Sequence, residues 1–275
     1  VRFPEFVAGE VTIQDITIHT KEYYQGKNIA LHLEESIEKV RPEKKEVTSR
    51  KGVVYSYDLL LVATGSNAFV PPIKGVEKKG VFTLRTMRDA TGMKEFSTKV
   101  SQAILIGGGL VGLETGGALL RRGVKVAVIE HNPRILPRQM DEEGAQILQM
   151  KMEGMGFSFF LNGQSDEILG KEKVEGVRLK DGRTVEGQMV IISAGVRPNI
   201  QLAKEMGLEM KNGILVNDRL ETKHEGIFAA GDVAEHRGRA YGIWPAAQRQ
   251  GEIAGVNMAG GCLLYTSPSP RDRTR

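Results

Sequence analysis

Short apolar runs, each closed by glycine or polar residues, predict alternating strands and helices along this chain. The run at 103–106 leads into three spaced glycines, and a helical stretch follows to Arg122. A β-branched run at 124–129 then ends at Glu130. Buried strands that alternate with helices are typical of a parallel sheet covered on both faces. The pattern therefore predicts an α/β fold.

The glycines give the segment SQAILIGGGLVGLETGGALLRRGVKVAVIE (101–130) a chemical meaning. Gly107 allows a tight turn off the strand, and Gly109 allows a pyrophosphate to approach the backbone. Gly112 allows the helix to pack close to the sheet, and the free N–H groups at the helix start face phosphate charge. Strand, glycine turn, helix and second strand together predict a dinucleotide-binding βαβ unit.

An acidic residue closes this unit and bears on the choice of nucleotide. Glu130 lies 18 positions after Gly112, close to the spacing of a carboxylate that binds a ribose 2′-OH. This favours NADH over NADPH. His131 and Arg134 leave an alternative open, because a nearby cation can receive a 2′-phosphate, although both also fit a solvated loop.

An internal repeat indicates a second, related domain. Residues 51–65 align without gaps on residues 181–195, at a constant offset of 130 positions. Each copy predicts a hairpin, a buried strand and a small-residue turn. In the second copy, the glycine turn at Gly107 lies a fixed interval before Gly195. The same interval before Gly65, the matching glycine of the first copy, falls before residue 1. We therefore expect the first domain to lack its opening βα unit.

These patterns predict two successive nucleotide-binding domains, each with a β-meander. The predicted boundaries are 1–80 for the first part of one domain, 81–213 for a second domain, 214–261 for the return of the first domain, and 262–275 for a non-native tail. Further expected elements are a short helix and a strand in 23–33, a meander over 36–57, a strand at 58–63, a helix over 141–154, meander strands at 157–162, 165–169, 174–180 and 183–185, a returning strand at 189–193, a short helix over 199–206, a strand at 227–230, and a helix from Pro245 to about Met258.

Composition excludes several function classes. The formal net charge is +4, but the last fourteen residues contribute three Arg and one Asp, so the remainder is nearly balanced and gives no reason to expect nucleic acid. No apolar run approaches the ~20 residues of a membrane span. The five histidines show no metal-ligand spacing, and we expect no metal site. A single cysteine fits a reducing compartment, so we expect a cytoplasmic protein.

The tail CLLYTSPSPRDRTR breaks with the pattern before it. Apolar periodicity stops, and the string resembles the translated read-through of a sequencing adaptor. We therefore expect residues 262–275 to be non-native, with a genuine disordered tail as the alternative.

Taken together, the motifs resemble the two-domain FAD-dependent pyridine nucleotide-disulfide oxidoreductases, a superfamily of flavoproteins. LLLVATGSNAFVPPIKG, IFAAGDVAEHRG and YGIWPAA are most similar to the branch of NADH:rubredoxin reductases and nitrite reductase flavoproteins. The resemblance covers nearly all of residues 1–261. It implies two Rossmann-like three-layer domains, in which an NAD(P)H-binding domain (81–213) is inserted in an FAD-binding domain (1–80 and 214–261).

The resemblance implies sites for two cofactors, FAD and NADH, with NADPH less favoured. It places against FAD the residues Ala63, Thr64, Gly65, Asp232, Trp244, Pro245 and Ala246. It places around NADH the residues Gly107, Gly108, Gly109, Leu110, Val111, Gly112, Glu114, Glu130 and Gly195. Arg197 falls near the nicotinamide ribose, or in a structural turn. Asp232 would bond a ribityl hydroxyl, and the helix start at Trp244 would point at the N1/O2 edge of the flavin.

The implied activity is hydride transfer from NADH to flavin, followed by electron delivery to a redox partner, either a rubredoxin-like protein or an attached reductase domain. No catalytic side chain is needed for the first step. One alternative is a cysteine-using NADH oxidase, peroxidase or CoA-disulfide reductase with its cysteine before residue 1. Another is a non-catalytic dinucleotide-sensing protein. A homodimer is also compatible with the resemblance.

Overall fold

The computed structural model describes residues 2–265 and divides the chain into two compact units. Unit 1 contains residues 1–20 and 68–195, and unit 2 contains residues 21–67 and 196–275. These bounds differ from the predicted domain boundaries on both sides of the segment 81–213. Residues 1–20 and 68–80 lie in unit 1, and residues 196–213 lie in unit 2.

The helices and strands are numbered in chain order. The helices are α1 (Phe3–Ala8), α2 (Ile13–Ile16), α3 (Lys21–Gly26), α4 (Met87–Ser97), α5 (Leu110–Arg121), α6 (Glu142–Gly154), α7 (Gln201–Glu205) and α8 (Trp244–Met258). The strands are β1 (Ile37–Arg41), β2 (Glu46–Ser49), β3 (Val54–Ser56), β4 (Leu60–Val62), β5 (Ser66–Ala68), β6 (Val81–Phe82), β7 (Gln102–Ile106), β8 (Lys125–Ile129), β9 (Phe157–Phe160), β10 (Ser165–Leu169), β11 (Gly176–Leu179), β12 (Thr184–Glu186), β13 (Met189–Ile192), β14 (Val196–Pro198), β15 (Ile214–Val216), β16 (Ile227–Ala229) and β17 (Ala234–His236).

Unit 1 is built on a five-stranded parallel sheet of order β6-β13-β7-β8-β9. Side chains alternate between its two faces, as the two-residue period of a strand requires. Leu105 and Val126 belong to a core that includes α4, α5 and α6. Ile104 and Ala127 belong to a second core, shared with the antiparallel sheet β10-β11-β12. Unit 1 therefore has three layers, as the strand pattern predicted.

The first residues of the chain pack on unit 1 through α1. Phe6 and Val7 are buried in the same core as Leu113 and Leu119 of α5. Lys94 lies over the Phe6 ring, 4.4 Å from its centroid, and Arg121 pairs with Glu10 at 2.6 Å. These contacts explain why residues 1–20 lie with unit 1.

Unit 2 contains the antiparallel sheet β1-β2-β3 and two parallel pairs, β4 with β16 and β15 with β17. Val62, Ile214, Ile227 and Val233 lie in one buried core. A second, smaller core joins Ile253 and other buried residues of α8 to the turn that follows β16.

The repeat at an offset of 130 positions is present in the structure. Strand β3 matches β12, and each ends a three-stranded antiparallel sheet. Strand β4 matches β13, and each pairs in parallel with a strand of its own unit. Two element predictions were wrong. Strand β9 joins the parallel sheet beside β8 instead of the meander, because Phe157 packs against α5. Residues 23–33 contain helix α3 and no strand.

The segment 262–265 contacts unit 2. Tyr265 is buried beside Leu220 and Ile253, and its N–H donates to the Asp218 carbonyl at 2.7 Å. The Leu263 N–H donates to Asn257 Oδ1 at 2.7 Å. The first four residues of the predicted tail therefore pack against the fold, and residues 266–275 lie outside the described residues.

Candidate nucleotide-binding sites

The glycine turn of unit 1 depends on two close backbone approaches. At Gly107, where φ is +111°, a Cβ would lie 2.4 Å from the Ser193 carbonyl oxygen. At Gly112, a Cβ would lie 2.6 Å from the Gly107 carbonyl oxygen. Gly109 differs, because a Cβ there would meet nothing within 4 Å. The two outer glycines thus bring strand, turn and helix together, and the middle one leaves open space above the turn.

The start of α5 offers hydrogen-bond donors to that open space. Gly109 is the N-cap residue and supplies no side-chain cap. The N–H groups of the first turn have no acceptor within a helix, and Leu110 and Val111 are about half exposed. A helix of 12 residues also carries partial positive charge at this end. The arrangement suits a phosphate-containing ligand.

Glu130 lies beside the glycine turn and is bonded to it. Its side chain is buried, and Oε2 accepts the Gly108 N–H at 2.7 Å. Oε1 accepts both the N–H and the side-chain amide of Asn132, at 2.8 and 2.6 Å. The Gly108 N–H is thus engaged by the protein itself, and the N–H groups that follow it remain as candidate phosphate donors.

The other residues predicted for this site take different positions. Glu114 is exposed on α5, and Gly195 has a φ of +97° at the turn after β13. His131 is exposed, with Nδ1 3.1 Å from Glu130 Oε1. The Arg134 guanidinium donates weakly to the Pro137 carbonyl at 3.4 Å, and its buried Nε has no partner.

Unit 2 brings together the residues predicted to contact a flavin. The Ser66 hydroxyl donates to Asp232 Oδ2 at 2.7 Å, and the Thr64 hydroxyl donates to the Asn199 carbonyl at 2.8 Å. The Asn199 N–H in turn donates to the Gly65 carbonyl at 2.9 Å. The turn after β4 is therefore tied both to the Asp232 turn and to the segment after β14. Ala63, between them, is exposed.

Helix α8 begins at Trp244, one residue before the predicted start at Pro245, and has no side-chain cap. Trp244 is half exposed, and Ala246 is partly exposed. One turn further, the buried Gln250 accepts the Gly231 N–H at 2.8 Å through Oε1. Helix α8 is therefore fixed against the turn that carries Asp232.

Four residues of these two clusters were missed at the sequence level: Ser66, Asn132, Asn199 and Gln250. Ser66 and Asn132 follow predicted site residues by one and two positions, so their proximity was available as a signal. Asn199 contributes only backbone groups, and Gln250 acts across a helix turn. Neither kind of contact has a local sequence signature.

Metal-ligand clusters and membrane-spanning helices are both absent from the part of the chain that the structure describes. Among residues 2–265, no group of three or more His, Cys, Asp or Glu side chains is arranged to hold a metal ion. In the same range, no helix combines the length and apolar character that a membrane crossing requires.

Comparison with known proteins gives a family-level match. The family model described as pyridine nucleotide-disulphide oxidoreductase matches residues 5–251. A nitrite reductase [NAD(P)H] from Bacillus subtilis is 39% identical over 94% of this chain, which spans 32% of that protein. An NADH-rubredoxin oxidoreductase from Clostridium acetobutylicum is 32% identical, over 98% of this chain and 68% of that protein.

Solved structures agree with the fold. A NAD-dependent persulfide reductase from A. fulgidus superposes with a TM-score of 0.92 at 26% identity, over 97% of this chain and 53% of that one. The chain thus spans about a third of the nitrite reductase and about half of the persulfide reductase.

Proposed function

Because the chain belongs to the pyridine nucleotide-disulphide oxidoreductase family, we propose that it is the nucleotide-binding part of a FAD-dependent NAD(P)H oxidoreductase. In this proposal, hydride passes from NADH to flavin and electrons pass on to a redox partner. One observation carries it above the others: an uncapped helix start, open space at Gly109 and a fixed carboxylate at Glu130 meet at one turn.

We propose that unit 1 binds NADH. The first-turn N–H groups of α5 bind the pyrophosphate, and Gly109 admits it because no side chain fills the space. Glu130 accepts the ribose 2′-OH and repels a 2′-phosphate, which favours NADH over NADPH. The unpartnered Nε of Arg134 and the exposed His131 are the groups that oppose this preference.

We propose that unit 2 binds FAD. Asp232 accepts a ribityl hydroxyl through its carboxylate, which Ser66 holds on one side. The N-terminus of α8, 15 residues long and uncapped, stabilises negative charge on the flavin ring. Thr64 and Gln250 fix the two turns that meet there. A bound flavin would supply the hydride-accepting and electron-donating chemistry, and the chain's own residues bind and orient.

The electron acceptor is proposed from the relatives. The names nitrite reductase and NADH-rubredoxin oxidoreductase support an acceptor that is itself a redox protein or an attached redox domain. The persulfide reductase among the solved structures supports the alternative of a sulfur-compound acceptor that needs a cysteine. Cys262 is exposed and is the chain's single cysteine.

Calorimetric titration of the 275-residue chain with NADH, NADPH and FAD tests the proposal. We expect saturable binding of NADH, weaker binding of NADPH, and NADH binding that does not compete with FAD. Rapid-mixing measurement of flavin bleaching in the longer parent protein should then show faster reduction by NADH than by NADPH. Absence of NADH binding would contradict the proposed nucleotide site of unit 1. Equal rates of flavin reduction with both nucleotides would contradict the proposed preference for NADH.

A further inference from the structure

The Glu130 carboxylate is held on both oxygens before any ligand binds. The Gly108 N–H reaches Oε2 at 2.7 Å. Asn132 reaches Oε1 twice, with its backbone N–H at 2.8 Å and its side-chain amide at 2.6 Å. The Glu130 side chain is 95% buried, so a rotamer that moved the carboxylate away from these donors would leave a buried charge without hydrogen bonds. Asn132 therefore holds the direction of this carboxylate through both its backbone N–H and its side-chain amide.

Asn132 is also held by a contact that does not involve Glu130. Its carbonyl accepts the Asn162 N–H at 3.1 Å, which ties it to the segment after β9. The neighbouring loop is tied to the glycine turn, because the Leu136 N–H donates to the Gly108 carbonyl at 3.1 Å. The amide of Asn132 is thus presented to Glu130 by backbone contacts that a side-chain substitution leaves in place.

We infer that Asn132 is a positioning residue that sets the preference for NADH over NADPH by orienting Glu130. This inference rests on the proposed function of unit 1. With two acceptor positions of Oε1 used by Asn132, the acceptor capacity left on Oε2 is the part offered to a ribose 2′-OH. The Asn132 amide is a neutral donor, so it does not offset the carboxylate charge that would repel a 2′-phosphate. The imidazole of His131, 3.1 Å from Oε1, is the other side chain that contacts this oxygen and would compete for it once the Asn132 amide is removed.

Two substitutions of Asn132 separate orientation from stability. Asn132→Ala removes the amide donor and keeps the backbone N–H. We expect the Kd of NADH to rise about tenfold, because that factor corresponds to the free energy of one hydrogen bond to a charged group. The Kd of NADPH should change less than about threefold, because its phosphate gains nothing from an oriented carboxylate. Gln139→Glu is the matched control for charge, since Gln139 is exposed in the same loop and contacts Glu130 through no hydrogen bond in the described structure. Calorimetry with both nucleotides and thermal unfolding are measured on the 275-residue chain.

Asn132→Asp supplies a readout that a purely structural role would not move. Two carboxylates at this distance repel, and one of them takes up a proton more readily than an isolated acid. At pH 8 this variant should bind NADH more weakly than Asn132→Ala. Between pH 8 and pH 6 its NADH affinity should recover towards that of the unsubstituted chain, because a protonated Asp donates to Glu130. With His131→Ala present in every variant, so that the imidazole beside Glu130 is removed, Asn132→Ala and Gln139→Glu should show no such recovery.

The outcomes separate this inference from the proposed function. A lower NADH:NADPH preference in Asn132→Ala with an unchanged Tm, together with recovery of Asn132→Asp in acid, supports the positioning role. An unchanged preference in both variants overturns that role and leaves the proposed function standing. If Asn132→Ala unfolds, the pH response of Asn132→Asp decides. A chain that binds no NADH overturns both.

Discussion

The Ser66 hydroxyl donates a hydrogen bond of 2.7 Å to the Asp232 carboxylate, across 166 positions of sequence. Ser66 begins β5, directly after the Thr64-Gly65 turn, and Asp232 lies in the turn after β16. Since β4 and β16 are paired in parallel, their carboxyl ends meet at one edge, and the two turns emerge side by side. The edge is where open α/β sheets bind ligands.

Removing either partner of this bond should weaken flavin binding. We expect Asp232→Ala to raise the Kd of FAD more than about tenfold, since it removes the ribityl acceptor, and Ser66→Ala to raise it by several fold. Titration with FAD, followed by quenching of flavin fluorescence, measures both. Ser56→Ala, at an exposed serine of β3, is the matched control. Equal Kd values for all three variants would remove the Asp232 turn from the proposed flavin site.

Two glycines of the same turn should respond differently to alanine. Gly112→Ala forces a Cβ to within 2.6 Å of the Gly107 carbonyl oxygen, so we expect a loss of about 1–3 kcal/mol in the free energy of unfolding. Gly109→Ala meets nothing within 4 Å in the protein, and its φ of −85° suits alanine. That variant should keep its stability and lose NADH affinity, because the methyl group occupies the path of the pyrophosphate. Thermal unfolding and NADH titration of both variants give the comparison, and full NADH affinity in Gly109→Ala would argue against binding at this turn.

Acid should destabilise unit 2 through Asp218. Hydrogen bonds from Arg237 and then from the buried His236 lower the pKa of the Asp218 carboxyl to about 2. A carboxyl whose pKa is depressed in the folded state contributes stability above its unfolded pKa of about 4, and loses it as the pH falls towards the folded value. We therefore expect Asp218→Asn to flatten the fall in Tm between pH 4 and pH 2. A variant with the same acid profile as the unsubstituted chain would show that this cluster does not contribute.

Two truncations should have different effects on stability. Ending the chain after residue 261 removes Tyr265, which is 2% exposed, and uncovers Leu220 and Ile253. We expect that truncation to lower the Tm, since burial of an aromatic side chain contributes about 1.5–3 kcal/mol. Ending the chain after residue 265 keeps these contacts and should leave the Tm close to that of the 275-residue chain. The opposite order of Tm values would contradict the packing of this segment.

Local patterns were sufficient for most elements and for the glycine turn that follows β7. Apolar periodicity predicted the ends of β7, α5, β8 and β13 to within a residue or two. The spacing of apolar residues in a buried strand or an amphipathic helix is visible within the segment itself. The offset of 130 positions predicted the two meanders for the same reason. Strand β9 was misassigned because a parallel and an antiparallel neighbour can select the same short aromatic run, Phe157–Phe160.

Long-range contacts were beyond the reach of the sequence. The apolar side chains of Phe6 and Val7 do not indicate whether they pack against α5 or against a segment that is adjacent in sequence. Residues 1–20 were therefore predicted in the FAD-binding domain, whereas the structure has them in unit 1. Gln250 bonds the Gly231 backbone, and a backbone acceptor or donor leaves no trace in residue identity. Asn132 was adjacent to a predicted site residue, but its role depends on which rotamer of Glu130 the fold selects.

The packing of α1 on α5 has a consequence for synthesis on the ribosome. Phe6 and Val7 leave the exit tunnel more than a hundred residues before Leu113 and Leu119, the α5 side chains that share their core. At about 5–20 residues per second, this amounts to roughly 5–25 s during which the amphiphilic α1 segment lacks its contacts with α5. Nascent chains stalled before α5 should therefore be better substrates for a ribosome-associated chaperone than chains stalled after β13, where all parts of unit 1 have been made.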